Sequence, residues 1–282
     1  MNEIIEKKQL SDEVYLMRVK APLIVEERLP GQFIMLQLDS DYGERIPLTI
    51  ANANEEEGTI SLIFQVVGKT TKDLSHLNEG DSIDNLVGPL GSPTHIDNFG
   101  RVVCIGGGIG VAPLHPIAQA LKKAGNHVTI IIGARNKDIM IMEDEIRKAS
   151  SELIIMTDDG SYGKKGFVTN ALQDMIDNGD KIDLVVAIGP PIMMKMVAKV
   201  SEPYKIPTLA SLNTIMVDGT GMCGGCRVTI DGKVQFVCVD GPEFDAHKTD
   251  FDEMMMRLSM YKGQEKEALD KYEYNCNLEG GK

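Results

Sequence analysis

Short runs in which apolar and polar residues alternate dominate the first third of the chain. Val14-Tyr15-Leu16-Met17-Arg18-Val19, Phe33-Ile34-Met35-Leu36-Gln37-Leu38 and Thr59-Ile60-Ser61-Leu62-Ile63-Phe64 each have the length of one strand. Pro30-Gly31, Glu57-Gly58 and Glu79-Gly80-Asp81 supply the turns between them. Successive strand side chains point to opposite faces, so each run can bury one face, and the series predicts an antiparallel β-barrel over residues 1–98.

The pattern changes at Arg101. Val102-Val103-Cys104-Ile105 is apolar throughout, and a glycine cluster and a helical stretch over 118–124 follow it. The same alternation repeats, with strands over 128–132, 153–157 and 184–188 and helices over 142–150 and 167–178. Strands alternating with helices predict a parallel sheet covered on both faces, an α/β domain over 99–209. Beyond it, residues 210–282 read as a glycine- and cysteine-rich loop, a small hairpin over 227–238 and an amphipathic stretch over 250–272. That third piece is too small for a large core of its own, so a metal centre is expected to add cohesion.

The chain has 282 residues and a formal net charge of -13. This charge argues against nucleic acid or an anionic membrane surface as partner, because both attract basic faces. No apolar run approaches the roughly 20 residues that span a bilayer, and no basic segment followed by an apolar one opens the chain. A cytoplasmic location is expected. The five histidines are scattered without ligand spacing and are read as surface or core residues, and no catalytic acid, base or nucleophile is expected.

Three of the five cysteines crowd into one segment. In Asp218-Gly219-Thr220-Gly221-Met222-Cys223-Gly224-Gly225-Cys226, followed by Cys238, four residues separate Asp218 from Cys223 and two separate Cys223 from Cys226. With cysteine at the first place this is the plant-type spacing for a 2Fe-2S cluster. Aspartate keeps the charge of the thiolate it replaces, and the glycines let backbone amides approach sulfur. A tetrahedral zinc site, or buried thiols with no metal, are the competing readings. Cys104 and Cys276 are read as bystanders.

Three further motifs suit phosphates and rings. Arg45-Ile46-Pro47-Leu48-Thr49 opens a strand, offering a guanidinium for a pyrophosphate and a hydroxyl for a ring. Gly68-Lys69-Thr70-Thr71 precedes a short helix whose N-terminus favours phosphate. Gly106-Gly107-Gly108-Ile109-Gly110-Val111-Ala112-Pro113 stands between strand and helix, where glycines allow close approach of a pyrophosphate. It departs from the ordinary G-x-G-x-x-G dinucleotide fingerprint.

Taken in order with Gly189-Pro190-Pro191-Ile192-Met193-Met194 and the cysteine segment, these motifs resemble the ferredoxin-NADP reductase superfamily. Within it, they resemble the branch of dihydroorotate dehydrogenase electron-transfer subunits. The resemblance covers nearly the whole chain and implies a flavin-binding barrel, a nucleotide-binding domain and a C-terminal 2Fe-2S domain. It implies Arg45, Pro47, Leu48, Thr49 and Val66 at the FAD, with Gly68, Thr70 and Thr71 near its phosphates. Pro47 stands where many members carry a tyrosine. Gly106, Gly107, Gly108, Gly110, Val111 and Ala112, with Gly189, Pro190 and Met193, are implied to line the NAD(H) site. Asp158, Asp159 and Gly160 are implied near the adenosine ribose.

Asp218, Cys223, Cys226 and Cys238 are the implied cluster ligands. An aspartate in the first place is similar to the small subunits of NADH-dependent ferredoxin:NADP oxidoreductases and to sulfide dehydrogenase subunits. The former implies a heterodimer with a large flavin and iron-sulfur subunit that performs electron bifurcation and through which ferredoxin and NADP(H) act. A subunit serving dihydroorotate or sulfide dehydrogenase, and a zinc-stabilised nucleotide-binding regulator, are the alternatives.

Overall fold

Alternation in the first third of the chain produces one antiparallel sheet. The structure, a computed structural model, describes residues 2–39, 41 and 43–279, without the side chains of 273 and 275–279. Cys276 therefore lies outside the described side chains. Strands β1 (Asn2–Ser11), β2 (Val14–Lys20), β3 (Phe33–Gln37), β4 (Arg45–Asn54), β5 (Thr59–Gln65), β6 (Ser82–Ile83) and β7 (Asn85–Leu90) pair in the order β6-β1-β2-β5-β4-β3-β7. The edge strands β6 and β7 are neighbours in sequence, so the sheet curls nearly shut into the expected barrel. Its interior is filled by Met17, Ile34, Leu36, Ile60, Leu62 and Phe64. Helix α1 (Pro22–Glu27) follows β2, and α2 (Lys69–His76) follows β5.

The second sheet is parallel, as the alternation of strands and helices requires. It contains β8 (Arg101–Gly107), β9 (His127–Ala134), β10 (Glu152–Thr157), the short β11 (Lys164–Lys165), β12 (Leu184–Ile188) and β13 (Thr208–Ser211). Helices α3 (Val111–Lys123), α4 (Glu143–Ala149), α5 (Val168–Asp177) and α6 (Pro191–Ser201) cover it. Val102 and Cys104 pack with α3 and α4, whereas Val103 and Ile105 pack with α5 and α6, so one apolar strand feeds two cores.

Helix α3 begins directly at Val111, seven residues earlier than the sequence pattern suggests. Pro113 lies in the first turn, where its missing N–H removes no intrahelical bond. Pro116 is tolerated within the helix.

The last segment does not stand apart. Hairpin β14 (Arg227–Ile230) and β15 (Lys233–Phe236) leads through α7 (Val237–Asp240) to β16 (Glu243–Asp245), which pairs antiparallel with β13 at the edge of the parallel sheet. Val228, Val237 and Phe251 share one core with Phe33 and Met35 of the barrel and Val197 of α6. A small segment thus borrows apolar partners from both larger sheets.

The expected amphipathic stretch over 250–272 is two helices, α8 (Phe251–Leu258) and α9 (Lys262–Glu279). Asp250 caps α8 by accepting the Glu253 amide at 2.9 Å, and Phe251 and Met254 are buried. Met256 is exposed. Helix α9 is polar on most of its described surface and leans on α2, where the Tyr272 hydroxyl lies 3.3 Å from His76 Nδ1. Among the described residues no helix is long and apolar enough to cross a membrane.

Candidate functional site

The order of the parallel sheet is β11-β10-β9-β8-β12-β13-β16. From β8 the chain proceeds outward to β9 and β10, then returns to place β12 on the other side of β8. In open parallel sheets the crevice at such a reversal, beyond the carboxyl ends of the strands, is where ligands bind. Gly106 to Gly110 leave the end of β8 and Gly189 leaves the end of β12, so both glycine motifs meet at that crevice.

Their fit is close. A Cβ added to Gly107 would lie 2.4 Å from Met193 Sδ, and one on Gly110 would lie 2.3 Å from the Ile188 carbonyl oxygen. The same atom on Gly108 would meet nothing within 4 Å, and Gly108 has φ +55°. The loop is therefore packed on one side and open on the other, next to the N-terminus of the 13-residue α3. Such an N-terminus attracts a pyrophosphate. Pro190 starts α6 by accepting the amides of Met193 and Met194 at 2.9 and 3.1 Å, which fixes Met193 against Gly107.

Asp158, Asp159 and Gly160 are exposed at the end of β10, two strand spacings or about 10 Å from β8. Asp159 Oδ1 accepts the Ser161 amide at 2.9 Å. Hydrogen bonds from Ser161 hold the Asp159 carboxyl below its ordinary range. This carboxylate closes its own turn, and Asp158 beside it is exposed. Arg135, at the neighbouring end of β9, is exposed as well.

On the barrel, Arg45, Pro47, Leu48 and Thr49 lie along β4, in register with Gln37, Met35, Ile34 and Phe33 of β3. Arg45 is exposed, and its Nε donates to Gln37 Oε1 at 3.4 Å. Val66 follows β5, and Gly68, Thr70 and Thr71 form the start of α2. The Thr70 hydroxyl donates to Glu44, which joins the two flavin motifs, a link that sequence spacing did not reveal.

The Thr71 hydroxyl accepts the amides of Val67 and Gly68 at 3.0 and 3.1 Å, so it shapes the turn. A Cβ on Gly68 would meet nothing within 4 Å, which leaves room beside the helix start. His115, buried on α3, approaches the Ala51 carbonyl of β4 at 3.4 Å and ties the nucleotide helix to the flavin strand. Burial lowers its pKa. Nothing local in the sequence distinguishes it from the other surface or core histidines.

In the cysteine segment, Cys226 and Cys238 are buried with their sulfurs 3.2 Å apart, whereas Cys223 is exposed on the loop. Two sulfurs on one tetrahedral metal, with bonds of about 2.3 Å, stand roughly 3.8 Å apart, so a small adjustment fits this pair to one metal ion. Burial and Cys226 push the Cys238 thiol up to about 12, hence metal binding must displace its proton.

Asp218 accepts the Thr220 amide at 2.8 Å and the Cys223 amide at 2.6 Å. These backbone bonds, that from Thr220 first, hold its carboxyl below the usual range. Asp218 and Cys223 thereby form a second pair on the same loop. The Gly225 amide donates to Cys223 Sγ at 3.4 Å, the kind of contact that stabilises thiolate. Among the described residues no three such side chains are yet gathered about one point. Asp240, the last residue of α7, instead reaches back along the helix, with its Oδ2 accepting the Phe236 amide at 2.7 Å. Cys104 is fully buried, and burial followed by Glu243 pushes its thiol up to about 12.

An antiparallel barrel, a parallel sheet with a glycine-lined crevice and a cysteine loop packed between them define a flavin- and nicotinamide-dependent iron-sulfur oxidoreductase. Comparison agrees segment by segment. Residues 2–95 match the oxidoreductase FAD-binding domain, 104–199 the oxidoreductase NAD-binding domain, and 213–250 the iron-sulfur cluster binding domain of dihydroorotate dehydrogenase B.

A Thermotoga maritima protein described as a dihydroorotate dehydrogenase B (NAD(+)) electron transfer subunit homolog is 47% identical, with 96% of this chain and 95% of that one covered. The Bacillus pumilus electron transfer subunit of dihydroorotate dehydrogenase B is 32% identical over 87% of this chain and 95% of its own. A solved structure described as the NADH-dependent reduced ferredoxin-NADP oxidoreductase, from work on flavin-based electron bifurcation, superposes with TM-score 0.91 at 47% identity. That match covers 96% of this chain and 98% of the other. The chain belongs to the family of dihydroorotate dehydrogenase B electron-transfer subunits and their homologues. FAD, NAD(H) and an iron-sulfur cluster are its cofactors.

Proposed function

We propose that this chain is the small subunit of a flavin-based electron-bifurcating NADH-dependent ferredoxin:NADP oxidoreductase. In this reading it forms a cytoplasmic heterodimer with a large flavin and iron-sulfur subunit, at which ferredoxin and NADP(H) react. The observation that carries the reading is the end-to-end likeness, at TM-score 0.91, to a structure described by that activity. Asp218 at the first ligand position points the same way. The alternative, a subunit serving dihydroorotate oxidation, draws on the descriptions of relatives at 47% and 32% identity. We assign residues 1–98 to the flavin barrel, 99–209 to the nucleotide domain and 210–282 to the 2Fe-2S segment and C-terminal helices.

When bound, FAD converts hydride from NADH into single electrons and the 2Fe-2S cluster carries them onward. The chain's residues hold and align. Gly106 to Gly110 and the α3 N-terminus seat the NADH pyrophosphate, and Pro190 and Met193 wall the crevice beside it. Arg45 and the start of α2 seat the phosphates of FAD, while Leu48 and Thr49 border its ring. Cys226 and Cys238, with Asp218 and Cys223, would supply the ligands of the cluster. Three thiolates and one carboxylate carry the same charge as four thiolates.

Isolation of the tagged chain from its native host tests the partner. A co-purifying subunit with its own flavin and cysteine clusters, and reduction of NADP by the pair that requires NADH and reduced ferredoxin together, is the expected result. Recovery with a dihydroorotate-oxidising subunit would replace the proposal with its alternative.

Nucleotide choice gives a second expectation. A carboxylate accepts hydrogen bonds from a ribose 2′-hydroxyl and repels a 2′-phosphate. NADH is therefore expected to reduce the isolated subunit at much lower concentration than NADPH, and Asp158→Ser with Asp159→Arg to narrow the gap. Stopped-flow reduction by each nucleotide checks this, and a wild-type preference for NADPH would contradict it.

The C-terminal helices give a third. Deleting everything after Lys248 would remove Phe251 and Met254 from the shared core, so it would test folding rather than docking. Ending the chain after Tyr261 removes only α9. If α9 contributes to docking, this truncation weakens co-purification of the large subunit while flavin and iron content stay stoichiometric. Unchanged co-purification would remove α9 from the interface.

A further inference from the structure

Between the barrel and the parallel sheet runs the segment 91–94, which is bonded to both the flavin barrel and the iron-sulfur segment. On the barrel side, Gln32 Nε2 donates to the Gly91 carbonyl at 2.8 Å and the Thr94 amide donates to the Pro30 carbonyl at 2.9 Å. On the cluster side, the Ser92 amide donates to the Gly241 carbonyl at 2.7 Å and its hydroxyl to the Val239 carbonyl at 3.1 Å. Cys238 immediately precedes Val239. The cluster loop also touches the barrel directly, since a Cβ on Gly219 would lie 2.6 Å from Met35 Cγ. Met35 is the register partner of Pro47 on the flavin strand.

One side-chain pair closes this seam. The Thr94 hydroxyl donates to Glu243 Oε1 at 2.7 Å, joining the end of the flavin-domain match to the cluster-domain match. We propose that Thr94 and Glu243 are positioning residues, a clamp that seats the iron-sulfur loop on β3 and thereby sets the rate at which electrons pass between flavin and cluster. This rests on the proposed electron-transfer role. The hydrogen bond is the element that matters, because a carboxyl held by one hydroxyl in a buried seam has few other ways to be satisfied.

Glu243 as a residue is half-buried, but its carboxyl is turned inward. Burial raises its pKa to about 7, against a smaller lowering by Thr94. The titratable group facing it from β8 is Cys104, itself raised to about 12 and therefore neutral. For an acid whose folded pKa is raised from 4.5 to about 7, stability is fully present below the lower value and is lost as pH rises toward the upper. Glu243→Gln keeps the acceptor oxygen and removes the charge. It should raise the melting temperature relative to wild type at pH 8 and by much less at pH 5.

The test compares Thr94→Val, Glu243→Ala, Glu243→Gln and the double variant Thr94→Val with Glu243→Leu. Each is prepared as the full chain with FAD and cluster. Stopped-flow follows flavin bleaching by NADH and, separately, appearance of the reduced cluster, and hydrogen exchange follows the amides of residues 218–226. Thr94→Val, Glu243→Ala and the double variant should slow cluster reduction about tenfold, with flavin bleaching within roughly twofold of wild type, since ångström-scale misplacement is enough for such losses. They should also speed exchange in the loop. Glu243→Gln should behave as wild type in both.

The double variant replaces both polar partners with apolar ones and so should stay folded if a single variant does not. Wild-type cluster reduction in it, or a Glu243→Gln variant as slow as Glu243→Ala, overturns the clamp. Failure of NADH to reduce the wild-type cluster would instead refute the electron-transfer reading, which the exchange and melting measurements do not require.

Discussion

Asp218→Ala is expected to shed its iron-sulfur cluster during purification, while Asp240→Ala keeps it. Both carboxylates lie near the cysteines, yet the structure gives them different tasks. Asp218 shares a loop with Cys223 and is hydrogen-bonded to that residue's own amide, so its oxygen travels with the sulfur. Asp240 accepts the Phe236 amide across the short helix carrying Cys238. Losing one such hydrogen bond costs about 1 kcal/mol, which a metal-stabilised loop absorbs.

Asp218→Cys should retain the 2Fe-2S centre with an altered absorption and EPR spectrum, because thiolate and carboxylate carry equal charge and differ in softness. Iron analysis together with the visible spectrum of the three variants decides the matter. The reverse order, with Asp240→Ala colourless and Asp218→Ala intact, would move the ligand assignment to Asp240.

Gly110→Ala is expected to lower the rate of NADH-driven flavin reduction by about two orders of magnitude. The new Cβ would sit 2.3 Å from the Ile188 carbonyl oxygen and 2.8 Å from Gly189 Cα. Those are backbone atoms, which cannot rotate aside as a side chain can. Carbon atoms rest about 3.5 Å or more apart, so the two glycine loops must separate by roughly 1 Å. A displacement of that size in a substrate-aligning loop costs about 10²-fold. The flavin lies on the barrel, so its content and its reduction by dithionite should be unchanged. Equal loss of both reactions would mean that the substitution had unfolded the domain, and full retention of NADH reduction would remove the crevice from the nucleotide site.

What could be read from the sequence was what neighbouring residues decide. Alternation in Val14 to Val19 and Thr59 to Phe64 marked β2 and β5, and the apolar run at Val102 marked β8 with the glycine loop at its end. Strand β1 escaped because only Ile4 in it is buried, and the polar remainder carries no clear period. Strand β16 escaped because three residues at a sheet edge take their partner from β13, over 30 residues away.

The candidate site divided in the same way. Cys223 and Cys226 announce themselves by spacing within one loop. The pairing of Cys226 with Cys238 depends on how a hairpin folds back, and the links Glu44 to Thr70 and Thr94 to Glu243 join residues 26 and 149 positions apart. Polar contacts of that range leave no local periodicity to detect.

Anaerobic titration of the purified chain with NADH, followed by absorbance and by EPR, tests the central claim that this subunit converts hydride into single electrons on an internal cluster. The account predicts a yellow-brown protein whose flavin absorbance bleaches and whose 2Fe-2S signal then appears. A colourless protein holding stoichiometric zinc, or a flavin that bleaches while the cluster never becomes reduced, would contradict it.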